Sequence, residues 1–163
     1  MQVLISDANV LIDMEAGGLL ELMFKLPFEF KVSDMLFADE LSHQHSHLLN
    51  LGLIQAELTP EGMMEAMRMT HTYAGPSRYD CFSLALAKQE SCPLLTGDKD
   101  LRRAAQQEAV LVKGTIWLVE QLVIVELINT DTATVSYKSM QNAGSRLPWK
   151  DAMQGLEKLK SQL

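Results

Sequence analysis

The amino-acid sequence predicts an α/β protein, a three-layer α/β/α sandwich around a mainly parallel central sheet. Short apolar runs alternate with longer segments of helical periodicity, which is the order expected when crossover helices connect parallel strands. Several of these runs are continuously apolar, as in strands that are covered on both faces. At 163 residues, the chain is long enough to bury one substantial core.

Short runs rich in Val, Ile and Leu mark the strands. They lie at 2–6, 29–33, 94–96 and 109–113, with a weaker candidate at 53–57. Helical patterns fall between them, near 16–25, 35–49, 60–73, 78–90, 99–107 and 115–127. Prolines stand at junctions, where a fixed φ and a missing N–H suit loops and helix starts: Pro27, Pro60, Pro76 and Pro93.

The segment after Asn129 is more polar than the rest of the chain. We predict helices at 131–142 and 149–162, separated by a break at Gly144 to Pro148. Apolar residues recur in the last helix at helical spacing, so one face packs on the main core or on another subunit. We therefore divide the chain into a domain at 1–128 and a C-terminal helical extension at 129–163.

Composition limits the classes of function. The chain is 47% hydrophobic and 21% charged, which is typical of a globular protein. No apolar run is long enough to cross a bilayer, and Cys81 and Cys92 form neither a disulfide framework nor a CxxC pair. We therefore expect a cytoplasmic protein without membrane contact. The net charge of −7 argues against nonspecific nucleic-acid binding, but it permits a local acidic site that binds metal.

Two acids follow predicted strands directly. Asp7 comes after the first strand, and Asp98 comes just after LLTG. Ligands of open α/β sheets bind outside the carboxyl ends of the strands, which is where both side chains are expected. A buried charge at such a place needs a partner, a helix to cap, or a metal. Both residues are also suited to N-cap the helices that follow them.

Two further acids lie on predicted helices, on the side that faces the core. Glu40 is four residues from Leu36, and Asp80 is four residues before Leu84, so each extends an apolar stripe. Asp80 also stands three residues after Ser77, the spacing of a capping box. Glu40 could simply be a half-exposed acid at the edge of its stripe.

Each of these four acids, considered alone, is better explained as a helix cap or as a half-exposed acid. Considered together, the four acids fit that explanation less well. Carboxylates that converge on one sheet edge repel one another unless a cation lies among them. Structural roles predict separated carboxylates, whereas a functional role predicts a cluster. Such a cluster suits Mg²⁺ or Mn²⁺, which bind phosphate oxygens and lower the pKa of a bound water. The chemistry indicated is metal-assisted phosphodiester hydrolysis.

Five motifs, taken in order, resemble the PIN-domain family, whose best-populated branch is the VapC-type toxins of bacterial toxin–antitoxin pairs. They are SDANVLID, ADELSH, RYDCFSLALA, LLTGDKDL and VKGTIWL, and they cover about residues 1 to 127. The resemblance implies a PIN-like fold and a Mg²⁺- or Mn²⁺-dependent ribonuclease that leaves 5′-phosphate and 3′-hydroxyl ends. It also implies a homodimer and an antitoxin partner. The segment 129–163 has no counterpart in these motifs.

The resemblance also implies site residues. The catalytic, metal-binding acids would be Asp7, Glu40, Asp80 and Asp98, with Asp100 as an auxiliary acid. Asn9 occupies the polar place after the first acid, and Thr96 would orient a carboxylate or a water. Thr115 matches a position near the site, although capping the helix from 116 onward is its simpler role.

Basic side chains flank the acids at Asp80 and Asp98. Arg78, Lys99, Arg102 and Arg103 could contact an RNA backbone. For Arg102 and Arg103, a solvated helix face is an equally good explanation.

Two other patterns suggest binding sites. In HQHSH, His43 and His47 would share a helix face as a zinc pair, with His45 pointing elsewhere; a polar helix end is the simpler interpretation. Four methionines crowd the helix after Pro60 and are expected to pack in the core, or to form a dimer or antitoxin interface if exposed: Met63, Met64, Met67 and Met69.

Two rival functions remain. The first is a catalytically silent PIN-like module for binding or regulation, with the C-terminal extension covering the acids. The second is a phosphotransfer enzyme with Asp7 as nucleophile, but such enzymes carry a second acid two residues later, where this chain has Asn9.

Overall fold

A computed structural model describes residues 1–163, in which five strands form one sheet in the order β3-β2-β1-β4-β5. Every neighbouring pair is parallel, which confirms the predicted parallel sheet. The strands are β1 (Gln2–Ser6), β2 (Phe28–Ser33), β3 (Ile54–Ala56), β4 (Leu94–Leu95) and β5 (Val112–Lys113).

Ten α-helices and one π-helical turn surround the sheet. They are α1 (Ala8–Ala16), α2 (Leu20–Met23), α3 (Asp34–Leu36), the π-helical turn (Phe37–Leu41), α4 (Leu48–Leu51), α5 (Pro60–Thr72), α6 (Arg78–Glu90), α7 (Lys99–Gln107), α8 (Thr115–Ile124), α9 (Thr130–Asn142) and α10 (Trp149–Gln162).

Alternation of side chains along β1 divides the interior into two cores. Leu4 points into a large core with α1, α2, α8, α9 and α10, and Ile5 points into a smaller core with α5, α6 and α7. Helices therefore cover both faces of the sheet, and the predicted three-layer α/β/α sandwich is confirmed.

The C-terminal helices α9 and α10 pack on the large core of the same chain. Tyr137 and Met140 are buried there, and the Tyr137 ring meets Trp149 edge-on at 6.1 Å between centroids. At Gly17, an added Cβ would lie only 2.6 Å from the Cε of Met140, so α9 approaches the end of α1 as closely as a glycine allows. None of the helices combines the length and apolar character needed to span a membrane.

The predicted helix at 16–25 is wrong in position. The first helix starts at Ala8 and ends at Ala16, and α2 covers only Leu20–Met23. Asp7 alone separates strand from helix, so two adjacent apolar runs hid the boundary between them. Gly18, at φ +72°, takes the backbone through the bend before α2.

The predicted helix at 35–49 is also wrong. After α3, the chain forms the π-helical turn, in which the Ser42 N–H donates to the Phe37 carbonyl five residues earlier at 2.8 Å. Turns then lead to α4 at Leu48. Polar residues from Ser42 to His47 lack the apolar stripe that would hold a regular helix against the core.

The methionines of α5 do not all pack in the core as expected. Met69 is fully buried, whereas Met64 and Met67 are 71% and 56% exposed. The interface alternative therefore remains a prediction for the exposed pair.

We predict that Tyr137→Phe stabilises the protein by about 1 kcal/mol, because a buried hydroxyl without a partner costs free energy. The Tyr137 hydroxyl is buried and makes no hydrogen bond. Urea unfolding would measure the change. The matched control is Tyr73→Phe, which removes a hydroxyl that donates to Glu108 and should lower stability. Equal destabilisation by both substitutions would contradict the prediction.

Candidate functional site

The candidate site lies where β1 and β4 end side by side in the middle of the sheet. The strand order β3-β2-β1-β4-β5 changes direction between these two strands, which is the topological switch point where open α/β sheets bind ligands. Asp7 follows β1 directly, and Thr96 and Asp98 follow β4.

Asp7 is a buried acid held by two hydrogen bonds. Its Oδ1 accepts from the Val10 backbone N–H at 2.9 Å and so caps α1, while its Oδ2 accepts from the Thr96 hydroxyl at 2.5 Å. Burial raises the pKa of Asp7 from 3.8 to about 6; the two hydrogen bonds lower it, and the charges of Asp80 and Asp13 raise it further. The carboxylate is oriented, but its charge is not neutralised.

Asp98 and Asp80 also cap helices, and each keeps one oxygen free of protein hydrogen bonds. The Asp98 Oδ1 accepts from the Leu101 N–H at 2.8 Å at the start of α7. In α6, the Asp80 Oδ2 accepts from the Ser77 N–H at 2.9 Å, and Ser77 Oγ accepts from the Asp80 N–H at 3.1 Å. The structural and functional explanations are therefore compatible, because capping fixes these side chains and leaves Oδ2 of Asp98 and Oδ1 of Asp80 available.

Glu40 lies on the π-helical turn and is exposed, while Leu36 and Phe37 are buried. The expectation that these three residues share one buried face is wrong, since the side chain of Glu40 is exposed on the π-helical turn. Partial burial raises the pKa of Glu40, and the charges of Asp80 and Asp39 raise it further. Glu40 therefore lies within electrostatic reach of Asp80.

Asp80 connects the predicted acids electrostatically. Its charge raises the pKa of both Asp7 and Glu40. Burial raises the pKa of Asp80 itself, and the charges of Asp98 and Asp100 add to the effect. None of the four predicted ligands forms an ion pair with Lys, Arg or His.

We refer to Asp7, Glu40, Asp80 and Asp98 together as the carboxylate rim. Their oxygen donors fit a hard divalent cation. Mg²⁺ or Mn²⁺ stabilises oxygen ligands that lack a basic partner, and burial and neighbouring charges raise the pKa of three of these acids, Asp7, Glu40 and Asp80. The predicted cluster is not formed in this structure, however, because no three of these carboxylates have ligand oxygens within 4.8 Å of one another, so sharing one ion requires side-chain rotation. Glu40 is free to rotate, because neither of its oxygens accepts a hydrogen bond.

Asp13 is an acid that the sequence patterns missed. Its Oδ2 accepts from the Thr115 hydroxyl at 3.0 Å and its Oδ1 from the Ser145 hydroxyl at 2.7 Å. Burial raises its pKa, which the two hydrogen bonds partly offset. The expected capping role of Thr115 is wrong, because Gly114 is the N-cap of α8. Asp13 lies six positions after Asp7 in the sequence. That spacing does not place two side chains on the same face of a helix, so helical periodicity gave no reason to group them.

A cleft of about 430 Å³ opens beside this rim. Asn9, Asp13 and Asp98 line one side, and residues 143–147 between α9 and α10 line the other. The C-terminal extension thus forms a wall of the cleft and contributes Arg146 to it. Two clefts of larger volume lie away from the predicted site residues, and one of about 420 Å³ is lined by Arg102.

The structure places the predicted basic residues and Asp100 around the rim, on the surface. Arg78 stacks over the Tyr79 ring at 5.3 Å, and the Arg102 Nη2 donates to the Thr96 carbonyl at 3.4 Å. Lys99 is exposed at the start of α7, and Arg103 lies 3.9 Å from exposed Asp100. Their contact with RNA remains a prediction.

The predicted pairing of His43 with His47 does not form, because residues 42–44 make a turn and not a helix. His45 and His47 instead converge on Glu15. The two histidines that meet Glu15 are therefore two residues apart in the sequence, a spacing that would place them on different faces of a helix.

Comparison with known proteins supports one family. The family profile DUF3368, described as a PIN domain, matches residues 3–161. A PilT N-terminus domain protein from the hyperthermophilic archaeon Sulfolobus solfataricus P2 is similar in structure, at 15% identity and a TM-score of 0.49, over 75% of this chain and 94% of that chain. No curated protein matches the sequence.

We predict that Asp7→Asn stabilises the metal-free protein at neutral pH by about 3 kcal/mol, the value of the pKa shift from 3.8 to about 6. The folded-state pKa is raised, so the stability contribution of Asp7 is complete below pH 3.8 and is lost as the pH rises through 6. Denaturant unfolding in a chelator at several pH values measures this. The exposed-acid control Asp151→Asn should follow wild type. Parallel pH profiles for Asp7→Asn and wild type would contradict the prediction.

Proposed function

The chain belongs to the PIN-domain family, whose members are typically nucleases, and on that premise we propose that it is a Mg²⁺- or Mn²⁺-dependent ribonuclease. One observation carries the proposal. Four carboxylates at the switch point of the sheet interact electrostatically through Asp80, and no basic side chain neutralises them. A cation is the simplest way to relieve that repulsion.

Each acid has a separate task in this proposal. Asp7 and Asp80 hold the ion, because their caps keep both side chains in place. Thr96 fixes the Asp7 carboxylate by donating to Oδ2 and also accepts from the Asp98 N–H at 3.1 Å, so it couples two ligands. Glu40 can turn toward the ion or accept the proton of an attacking water. A bound Mg²⁺ or Mn²⁺ would polarise a phosphate oxygen and stabilise charge on the leaving oxygen.

The cleft beside the rim would hold the RNA strand. Asp98 and Asn9 line it, and Arg146 lies at its opposite wall, so a phosphate there would meet both the metal site and a positive charge. With a net charge of −7, the protein depends on such local attraction. This gives the C-terminal extension a role in substrate binding.

We extend the proposal to a cytoplasmic toxin that acts as a homodimer and is restrained by an antitoxin, as the resemblance to VapC-type proteins suggests. Two free cysteines suit a reducing compartment. The exposed Met64 and Met67 offer an adaptable apolar surface for a partner chain. A neighbouring reading frame that encodes a small DNA-binding protein would support this role, and a genome without one would count against it.

A catalytically silent module is the second candidate. The distances favour this function, because no three of the four carboxylates have oxygens within 4.8 Å of one another. Calorimetric titration with Mn²⁺ separates the two functions, because a silent module should bind the ion weakly or not at all.

We predict that the purified chain cleaves single-stranded RNA with Mn²⁺ and that Asp7→Asn and Asp98→Asn each lower the rate on the order of 100-fold or more. Losing several kcal/mol of charge stabilisation has that effect. The control is Asp131→Asn, an exposed acid at the start of α9. Equal cleavage by all variants would indicate a contaminating nuclease. Mn²⁺ binding without cleavage would point to the silent module.

We also predict that Arg146→Glu weakens RNA binding and lowers the slope of log affinity against log salt by about 1, since one phosphate contact is lost. Lys160→Glu makes the same charge change outside the cleft and serves as control. Salt titrations of RNA binding would measure both, made in the Asp7→Asn background, in which cleavage is expected to be slow. An unchanged slope for Arg146→Glu would remove Arg146 from the substrate path.

A further inference from the structure

Glu15, His45 and His47 bring three ligand atoms together at the other end of α1. The His45 Nδ1 lies 2.8 Å from the Glu15 Oε2, and the His47 Nε2 lies 3.0 Å from Oε1. All three ligand atoms lie within 4.8 Å of one another, and no other His, Cys, Asp or Glu group of three in the chain meets that distance. Tetrahedral zinc, with bonds of about 2.0–2.2 Å, holds ligand atoms roughly 3.4 Å apart, within reach of small side-chain rotations.

The backbone presents both histidines from a segment anchored at its ends. Leu41 and Leu48 are buried in the large core on either side. The His45 N–H donates to the Leu41 carbonyl at 2.8 Å, and the Leu48 N–H donates to the His45 carbonyl at 3.1 Å. The two imidazoles are therefore positioned by the fold, and partial exposure of all three side chains leaves room for an ion to enter.

The donor set differs from that of the carboxylate rim. No Lys or Arg forms an ion pair with Glu15, whose carboxylate oxygens instead lie against the two imidazole nitrogens. Imidazole nitrogens with one carboxylate select zinc and other late transition ions over Mg²⁺ or Mn²⁺. Two histidines and a glutamate are also the protein ligands of some zinc sites that keep a fourth position open.

We propose that Glu15, His45 and His47 form a second metal site, which binds Zn²⁺ or a similar late first-row transition ion. His45 binds through Nδ1 and His47 through Nε2, and a water fills the fourth position. The inference does not depend on the nuclease proposal, because it uses none of the rim residues.

The proposed site joins two elements that carry rim carboxylates. α1 begins after Asp7 and carries Glu15 in its last turn, and the histidines follow the π-helical turn that carries Glu40. A metal at this position would fasten the end of α1 to the segment behind Glu40. Its expected effect is conformational: slower hydrogen exchange of backbone amides in residues 42–47 on zinc binding.

The test titrates the full chain with Zn²⁺ against a competing chelator, and with Co²⁺ by visible absorption. Wild type should bind one equivalent at this site. His45→Ala and His47→Ala should each lower the zinc affinity at least about tenfold, as loss of a metal-site residue does. Both should also lose the tetrahedral cobalt bands. Glu15→Gln, which keeps the side-chain shape, should act in the same direction.

The matched control is His43→Ala, on the same exposed segment but outside the group. It should bind zinc as wild type does, whereas Asp7→Asn should keep the affinity of the Glu15, His45 and His47 site and its cobalt bands and lose only zinc bound at the rim. Equal zinc affinity in wild type, His45→Ala and His47→Ala would overturn the proposal, as would equal loss in His43→Ala. Zinc binding that disappears in Asp7→Asn would assign the ion to the rim. Mn²⁺-dependent cleavage is measured separately, so either proposal can fail alone.

Discussion

A carboxylate buried at the carboxyl end of the central strand is the constraint on which this structure depends. Asp7 lies between β1 and α1, where water cannot solvate its charge. The hydrogen bonds from the Val10 N–H and the Thr96 hydroxyl replace only part of that lost solvation. The Thr96 contact also joins the ends of β1 and β4 across the switch point of the sheet. Backbone hydrogen bonds set the register of these strands, among them that of the Asp7 N–H to the Leu95 carbonyl at 3.0 Å, so strand pairing and the Thr96 contact position Asp7 together.

Helix capping and site formation are combined in this fold. Asp7, Asp80 and Asp98 each use an oxygen to satisfy the first backbone donors of a helix, which removes the rotational freedom that a metal ligand would otherwise lose on binding. Burial of these charges is the main cost and mutual repulsion adds to it, and both raise the pKa of Asp7 and Asp80. A site that is unfavourable when empty is well suited to bind a cation.

The sequence predicted the parts of the fold that depend on local periodicity and strand order. Continuously apolar runs located β1 and β4, and acids directly after them pointed to the rim, because parallel strands end at a common edge. The end of β1 at residue 6 was predicted, but the first helix was placed at 16–25, because the apolar residues after Asp7 do not differ in character from those of the strand. Local patterns could not find Asp13 either, because its partners Thr115 and Ser145 are more than 100 positions away in sequence. The convergence of His45 and His47 on Glu15 depends in turn on a bend that no helical pattern contains.

Because of the π-helical turn, the position of the Glu40 carboxylate depends on the number of residues in this segment as well as on their chemistry. A π-helical turn places one more residue in each turn than an α-helix does, and each residue of an α-helix advances the side chains by about 100°. Deleting a single residue between Leu36 and Glu40 would let the segment close as regular α-helix, turn the Glu40 carboxylate by roughly 30° around the axis and shift it along the axis. Every other residue of the rim would be unchanged. Natural relatives that lack this one position would be expected to have lost, or relocated, their fourth acid.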